Sequence, residues 1–398
     1  MIFKDYLMED ALDAIIDYRG KTPQKSDTGI PTLSAKSVKN NHINYTECYY
    51  ISEAEYKRFM VRGFPQKGDI LLTTEAPMGM VAKLDRDDVA IAQRLLTLRG
   101  KEGVLDNNYL LYLLQSPYGQ GLLKERETGT TVTGIKQAEF RKIIVKLPDI
   151  TIQKKIGGIL SAIDQKITCN TKINDNLQQQ AQALFSAWLA THVPVADEVT
   201  LGGICLKVTD GSHFSPKDEP SAKIPMLSVK DMEEFDFNLT SCKHISTEDY
   251  QKMVANDCVP QVDDILVAKD GSYLKEIFIC NEQRELAILS SIAIFRPDTS
   301  KIYPEILLAF LKSPRVLQEV RDNYVSGSAL PRIVLKDFKK LQFLLPNLAA
   351  QGEIAPLLAS IRSQIAVNVA ENQRLNQLRD ALLPKLMSGE IDVSSIRI

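Results

Sequence analysis

The chain has 398 residues, of which 44% are hydrophobic and 25% are charged, with a formal net charge of −2. The length predicts two or three domains, and the composition excludes wholesale disorder. No stretch approaches the ~20 apolar residues that a membrane-spanning helix needs, and the first residues do not resemble a secretory signal. The six cysteines lack paired spacing, which is typical of reduced thiols in a cytoplasmic protein. The near-neutral charge means that any binding to nucleic acid must depend on local clusters.

An internal repeat dominates the sequence. Residues 30–36 (IPTLSAK) recur 194 positions later as residues 224–230 (IPMLSVK), and residues 109–117 (YLLYLLQSP) correspond to residues 306–314 (ILLAFLKSP). The offset increases to 198, and at that offset Gln153 and Asn170 meet identical residues. A period near 200 residues is too long for a solenoid, so the chain is two copies of one unit.

Each copy begins with a globular part and ends with a long helical segment. Short β-like runs (69–74, 95–99, 291–296) alternate with helical stretches and turns, which predicts an α/β (α+β) fold with mixed or antiparallel sheet. Each globular part ends in Leu-Pro, and proline disfavours helix in the residue before it. We therefore predict globular domains at 1–148 and 193–346, spacer helices at 149–192 and 347–388, and a C-terminal tail at 389–398.

The two helical segments carry matching apolar stripes interrupted by polar residues near their centres. Asn170 and Asn368 lie close to the two midpoints, and in an antiparallel pair equivalent residues meet only there. A buried asparagine can fix the register of paired helices. We therefore predict an antiparallel coiled coil with a contact between Asn170 and Asn368. The alternative is that each helix packs only on its own globular part.

Motifs of catalysis and of cofactor binding are missing. Gly20-Lys21-Thr22 resembles the end of a phosphate-binding loop, but Ile15 stands where the required glycine would be. Cys242 and His244 are the only cysteine–histidine pair at short spacing, and a surface loop explains them better than a metal site. We expect no catalytic residue, no cofactor and no metal.

The repeat and its motifs resemble the specificity (S) subunits of type I restriction–modification enzymes. Residues 378–393 (LRDALLPKLMSGEIDV) are similar to the C-terminal conserved segment of that family, and residues 147–167 are similar to its central segment. Residues 18–23 (YRGKTP) and 209–213 (TDGSH) resemble two common openings of its target-recognition domains. The resemblance covers essentially the whole chain.

The resemblance implies a subunit without catalysis of its own that reads an interrupted, asymmetric site in double-stranded DNA. Each globular part would be a target-recognition domain for one half-site, and the helix pair would set the gap between the half-sites. Two DNA methyltransferase (M) subunits and restriction/motor (R) subunits would be the protein partners, and no membrane would be involved.

Polar and basic loop residues are the candidates for contact with DNA, because such side chains bind base edges and phosphates. In the first copy they are Lys21, Thr22, Lys36, Lys39, Asn40, Asn41, Thr73, Thr74, Glu75, Gln93, Arg94 and Thr130. In the second copy they are Ser212, His213, Ser228, Lys230, Lys269, Asp270, Ser272, Tyr273, Ser290, Ser291, Gly327 and Ser328. These positions differ between the copies, as two different half-sites would require.

Two other functions are compatible with parts of the sequence. A duplicated coiled-coil adaptor or scaffold without DNA specificity would also need paired helices, but it would show no salt-dependent affinity for DNA. A self-contained DNA methyltransferase or nuclease would need the cofactor-binding motifs that this sequence lacks.

Overall fold

The computed structural model describes residues 1–18, 20–129, 133–271, 274–326 and 332–396. The chain divides into two compact units. Unit 1 comprises Met1–Ile167 and Arg374–Ile398, and unit 2 comprises Thr168–Gln373. Each unit therefore contains one globular part together with a portion of each long helix.

The strands of the two globular parts are short, and those of the larger sheets follow the same order in each. Those of the first are β1 (Lys4–Leu7), β2 (Leu12–Asp17), β3 (Ile30–Leu33), β4 (Val38–Lys39), β5 (His42–Ile43), β6 (Tyr49–Ile51), β7 (Ile70–Thr73), β8 (Val81–Lys83), β9 (Ala90–Ile91), β10 (Leu95–Gly100) and β11 (Ile144–Leu147). Those of the second are β12 (Asp197–Thr200), β13 (Cys205–Asp210), β14 (Ile224–Leu227), β15 (Lys243–Ile245), β16 (Ile265–Ala268), β17 (Ile277–Ile279), β18 (Ala287–Ile288), β19 (Ile292–Pro297), β20 (Val325–Ser326), β21 (Arg332–Ile333) and β22 (Gln342–Leu345). The β4–β5 pair and the β20–β21 pair each occur in one part of the described chain only.

Two helices are much longer than the rest. The helices up to the first long one are α1 (Met8–Ala11), α2 (Glu53–Phe59), α3 (Asn107–Gln115), α4 (Pro117–Glu125), α5 (Gln137–Arg141) and α6 (Ile150–His192). The remainder are α7 (Leu201–Ile204), α8 (Thr247–Ala255), α9 (Pro304–Leu311), α10 (Pro314–Asn323), α11 (Leu335–Phe338) and α12 (Leu348–Ser388). Single 3-10 turns occur at Tyr45–Glu47, Val193–Val195 and Val229–Asp231.

The central sheet of each unit has four antiparallel strands, in the order β2-β10-β7-β8 in unit 1 and β13-β19-β16-β17 in unit 2. A second sheet of mixed direction accompanies it, with the order β6-β3-β9 or β15-β14-β18. The two units thus share one topology, which confirms the α/β fold and the duplication that the sequence predicts.

Each central sheet is buried on both faces, because its strands separate two hydrophobic cores. In unit 1, Ile70 and Leu72 belong to one core and the intervening Leu71 belongs to the other. In unit 2, Ile265 belongs to one core and the adjacent Leu266 belongs to the other. Alternate side chains of a strand point to opposite faces, so a strand buried on both faces is continuously apolar. This explains the ILLT and ILVA runs of β7 and β16.

A buried ion pair supports the central sheet in both units. The Arg99 guanidinium donates two hydrogen bonds of 2.8 Å to the Asp69 carboxylate. Arg296 and Asp264 form the same pair with the same two distances. Both carboxylates are buried, and such bidentate pairs are the geometrically most specific of ionic contacts.

The start of each long helix is attached to its globular part by a buried glutamine. The Gln153 amide donates to the backbone oxygens of Val104 and Pro148 and accepts from the backbone N–H of Asp106. Gln351 forms the corresponding three bonds in unit 2, with Lys301, Pro346 and Tyr303. These contacts give a physical reason for the glutamine that both copies share.

Gly157 does not interrupt α6, which is continuous from Ile150 to His192. A Cβ atom at this glycine would lie 2.9 Å from the Cβ of Asn108 and from the backbone nitrogen of Tyr109. The glycine therefore permits close packing of α6 on the first turn of α3, which compensates for its low helix propensity.

Within unit 2, the long helices run antiparallel. The Asn170 amide donates to Asn372 Oδ1 at 2.9 Å and to Glu371 Oε2 at 2.7 Å, and the Asn368 amide donates to Asn174 Oδ1 at 2.7 Å. Both asparagines are buried, and the predicted antiparallel pairing is confirmed.

The structure corrects the predicted contact between Asn170 and Asn368. Each amide donates to a residue of the other helix four positions beyond the expected one. The reason is that the pseudo-two-fold axis of the pair passes near residues 172 and 370, two residues from the asparagines. The two amide pairs are therefore related by the axis instead of meeting on it.

Each long helix packs at its start on its own globular part and near its end on the globular part of the other copy, so the alternative that each helix packs only on its own part is wrong. Ile156, Leu160 and Leu386 belong to a core of unit 1. Trp188 and Ile354 belong to a core of unit 2.

Candidate nucleic-acid interface

Three loop segments meet at one end of the central sheet in unit 1. They are residues 74–79 after β7, residues 92–94 before β10, and the described residues of the segment that precedes α5. The Thr74 N–H donates to the Arg94 oxygen, and the Ile135 N–H donates to the Thr74 oxygen, each at 3.0 Å. Arg94 Nε lies 3.0 Å from Glu75 Oε1. We call this group of segments the strand-end cluster.

Unit 2 has a strand-end cluster with the same backbone bonds. The Lys269 N–H donates to the Ser291 oxygen at 2.9 Å, and the Ile333 N–H donates to the Lys269 oxygen at 3.0 Å. Lysine thus replaces Thr74, and serine replaces Arg94, on an unchanged backbone framework. The framework brings together candidates that lie far apart in the sequence.

Four of the predicted residues are buried, and the side chains of three of them form bonds within the fold. The Thr73 hydroxyl donates to the Pro77 oxygen at 2.6 Å, and the Thr74 hydroxyl has no hydrogen-bond partner in the described residues. The Ser212 hydroxyl donates to the Phe214 oxygen at 2.8 Å, and Lys269 Nζ lies 2.5 Å from Asp210 Oδ2. In this structure these side chains support the loops.

Of the other predicted residues that the structure describes, six are half-buried, namely Asn41, Glu75, Ser228, Asp270, Ser290 and Ser291, and the remaining ones are exposed. The exposed residues are Lys21, Thr22, Lys36, Lys39, Asn40, Gln93, Arg94, His213 and Lys230. Gln93 and Arg94 belong to the strand-end cluster of unit 1, whereas Lys39 and Asn40 lie on the β4–β5 hairpin. Thr130, Ser272, Tyr273, Gly327 and Ser328 lie outside the described residues.

The β4–β5 hairpin is held on the long helices of unit 1 through its residue Asn41, which sequence reasoning placed among the DNA candidates. The Asn41 amide donates to Asp164 Oδ2 on α6 at 2.7 Å and accepts from the Gln115 amide on α3 at 2.8 Å. The Tyr112 hydroxyl and the Arg379 guanidinium also donate to Asp164, at 2.6 and 3.0 Å. Burial and the adjacent carboxylate raise the pKa of Tyr112, so the phenol remains a donor.

Sequence reasoning also missed Asp210, which connects two predicted residues. One of its carboxylate oxygens binds Lys269, and the other lies 3.3 Å from the exposed imidazole of His213. The only available signal was the position of Asp210 in the TDGSH motif. Asp164 similarly stands in residues 147–167, which resemble the family's central segment, but nothing local predicts that residue 41 reaches it.

No metal-binding group of three or more His, Cys, Asp or Glu side chains occurs in the part of the chain that the structure describes. Among the same residues, no helix combines the length and the apolar character that crossing a bilayer requires.

Comparisons with known proteins relate the whole chain to one class of protein. The family model described as the type I restriction modification DNA specificity domain matches twice, at residues 15–179 and 196–377. The MjaIX type I restriction enzyme specificity subunit of Methanocaldococcus jannaschii is 27% identical over 395 residues, covering 92% of this chain and 88% of that protein. The HindI specificity subunit of Haemophilus influenzae is 22% identical over 400 residues, covering 82% and 87%.

A solved structure has a similar fold. The S subunit of a type I restriction–modification system from M. genitalium superposes with a TM-score of 0.57 at 16% identity, covering 97% of this chain and 96% of that one. The family model spans both copies of the repeat, and the topology of each copy is the same. The chain therefore belongs to the type I restriction–modification DNA specificity domain family, of which it carries two copies.

Proposed function

We propose that the protein reads an interrupted DNA site, with one target-recognition domain on each half-site. One observation carries the proposal: the strand-end clusters share a backbone framework but present different side chains. The exposed Arg94 of unit 1 corresponds to the half-buried Ser291 of unit 2, whereas the buried Thr74 and Lys269 hold the backbone framework. Two readers with one architecture and different donors are what an asymmetric site requires, because base edges are distinguished by their hydrogen-bonding groups.

The exposed residues divide into two proposed contact groups. Gln93 and Arg94 at the strand-end cluster, with His213 in unit 2, are suited to base edges or phosphates. Lys39 and Asn40 at the hairpin tip are suited to contacts that flank them, as is Lys230, which follows Val229, whose N–H donates to the Ser291 hydroxyl. The buried Thr73, Ser212 and Lys269 are proposed to position these loops.

The long helices are the proposed spacer. Helix α6 has 43 residues, so it is about 65 Å long at 1.5 Å per residue. It contains residues of both units, as α12 does. A paired helical segment resists bending better than a flexible linker, which supports its use as a ruler between half-sites.

The proposed partners are double-stranded DNA, two methyltransferase subunits and restriction/motor subunits, in a cytoplasmic setting where the DNA is accessible. These proposals rest on membership of the family. A near-neutral net charge limits the neutralisation of DNA phosphates, so we infer that partner subunits contribute much of the affinity. A coiled-coil adaptor without DNA specificity is not favoured, because the matching family is a DNA specificity domain.

The ruler is tested by lengthening both helices together. Insertion of four helix-forming residues after Asn170, and of four after Ala370, preserves the bonds from Asn170 to Asn372 and from Asn368 to Asn174. The insertion adds about 6 Å, which corresponds to about two base pairs. We expect the assembled complex to modify sites with a longer gap and unchanged half-sites, as measured by mapping modified bases.

The matched control carries the insertion in α6 alone, which misaligns the buried amides and should lower the stability of the pair. If the doubly lengthened protein still modified sites with the original gap, the ruler would be refuted. If it modified sites with altered half-sites, the assignment of reading to the globular domains would fail.

A further inference from the structure

Unit 2 contains a partly enclosed cavity of about 80 Å³ between α6, α9 and α12. Its walls are mainly apolar and include the rings of Phe235 and Phe278. A single water requires roughly 10–15 Å³ by this kind of measure, so the space is large enough for a small organic ring. None of the residues proposed to contact DNA lines it.

Five residue differences between the copies lie at the cavity, and two of them, the alanines, open it. In unit 1, Asn41, Tyr112, Gln115, Asp164 and Arg379 form one hydrogen-bonded network. The repeat aligns them in turn with Phe235, Ala309, Lys312, Arg362 and Ala181. All five of the latter line the cavity. Alanine in place of Tyr112 and Arg379 removes the two largest groups, while arginine in place of Asp164 reverses the charge at the centre.

Two residues that line the cavity carry hydrogen-bond donors without partners. Gln182 Nε2 and Arg362 Nε are buried atoms for which the described residues provide no acceptor. The other guanidinium nitrogens of Arg362 are occupied, since they donate to Asn281 and Glu305 at 2.8 Å. A buried donor without an acceptor costs about 1–3 kcal/mol, so an acceptor that reached both atoms would be favoured.

A third donor lies at the same wall. Lys312 Nζ donates to Gln178 Oε1 at 2.7 Å and lies 5.4 Å from the centroid of Phe235. Burial lowers the pKa of Lys312 to about 8, even though Glu234 and Glu276 act in the opposite direction. Burial thus outweighs the two carboxylates, and the ammonium is less well solvated than it would be in water.

We propose that this cavity binds a small aromatic carboxylate of the size of benzoate. The ring would occupy the space that the Tyr112 phenol fills in unit 1, against Phe235 and Phe278. The carboxylate would accept from Arg362 Nε and Gln182 Nε2 and lie near Lys312. In unit 1 the Tyr112 phenol donates to the Asp164 carboxylate. In unit 2 the carboxylate of the ligand would instead accept from the guanidinium of Arg362, which replaces Asp164.

The test is a calorimetric titration of the full-length chain with benzoate. A ligand with so few atoms is expected to bind in the millimolar range or tighter. We expect one saturable site per chain, tenfold or more weaker binding of the neutral benzamide, and benzoate-dependent protection of α9 amides from hydrogen exchange.

Two variants and one control separate this site from non-specific binding. Ala309→Tyr restores the residue that fills the space in unit 1 and should abolish binding, and Arg362→Gln should weaken it at least tenfold. Tyr112→Ala opens the matched place in unit 1, where Asp164 repels an anion, so it should create no second site. If Ala309→Tyr fails to fold, Arg362→Gln and the benzamide comparison still decide.

The proposal would be overturned by the absence of saturable binding to the wild-type chain. It would equally be overturned by binding that Ala309→Tyr and Arg362→Gln leave unchanged. The outcome is independent of DNA reading, because no residue of the cavity belongs to the proposed DNA contacts.

Discussion

Replacement of Asp164 by alanine should loosen the β4–β5 hairpin and destabilise unit 1. The carboxylate accepts from Asn41, Tyr112 and Arg379 at 2.7, 2.6 and 3.0 Å. Tyr112 is buried, so its stranded hydroxyl should cost about 1–3 kcal/mol, and hydrogen bonds to a charged group contribute about 1.5–3 kcal/mol each. Arg379 retains Asp380 as a partner, which reduces its share. We expect a total loss of about 3–4 kcal/mol.

Hydrogen exchange resolved by peptide measures both consequences. The amides of residues 38–43 should lose protection most, and the most protected amides of unit 1 should report the lost stability. Peptides of unit 2 provide an internal control. Tyr112→Phe is the matched variant, since it removes one hydroxyl and should cost only about 1–2 kcal/mol. An unchanged hairpin in Asp164→Ala, or a loss no larger than that of Tyr112→Phe, would refute the role of Asp164 as the anchor.

Two further predictions concern unit 2. Asn368→Leu alone leaves the Asn174 oxygen buried without its donor and should cost about 1–3 kcal/mol, whereas adding Asn174→Leu should recover most of that loss. Urea unfolding of the wild type, the two single variants and the double variant measures the coupling energy. Additive losses would contradict the pairing. Lys312→Met should stabilise the protein by about 1–3 kcal/mol at pH 7, because the pKa of Lys312 is about 8 when folded but about 10.4 when unfolded. The folded state thus binds this proton more weakly, the cost of the buried charge is present below pH 8, and it disappears as the pH rises towards 10. If Lys312→Met and the wild type had the same free energy of unfolding in urea at pH 7, burial of the ammonium would cost no stability and the prediction would fail.

The repeat and the fold class could be predicted because they depend on many residues at once. The offset of 198 in the helices and the apolar stripes survive single differences, so they identify the duplication and the antiparallel pairing. The position of the pseudo-two-fold axis of the helix pair could not be predicted to within two residues. It is set by how the two side-chain layers interdigitate, and the contacts of Asn170 and Asn368 became visible only in the structure.

The candidate site was predictable in its loops but not in the burial of its side chains. Thr73, Ser212 and Lys269 are polar residues at loop positions, and sequence alone gives such residues no reason to turn inward. Each finds an acceptor close by in the fold, which is how a polar side chain is buried without a large penalty. The bond from Asn41 to Asp164 joins residues that are 123 positions apart, and no periodicity reports a contact of that range.

The pairing of β1 with β11, and of β12 with β22, places the first and last strands of each globular part side by side. The chain thus enters and leaves each part at one point, directly before a long helix. A change inside such a part need not shift the helix that follows, because both of its ends are tied to each other. Substitutions can therefore accumulate in one globular part while the other part and the paired helices remain as they were.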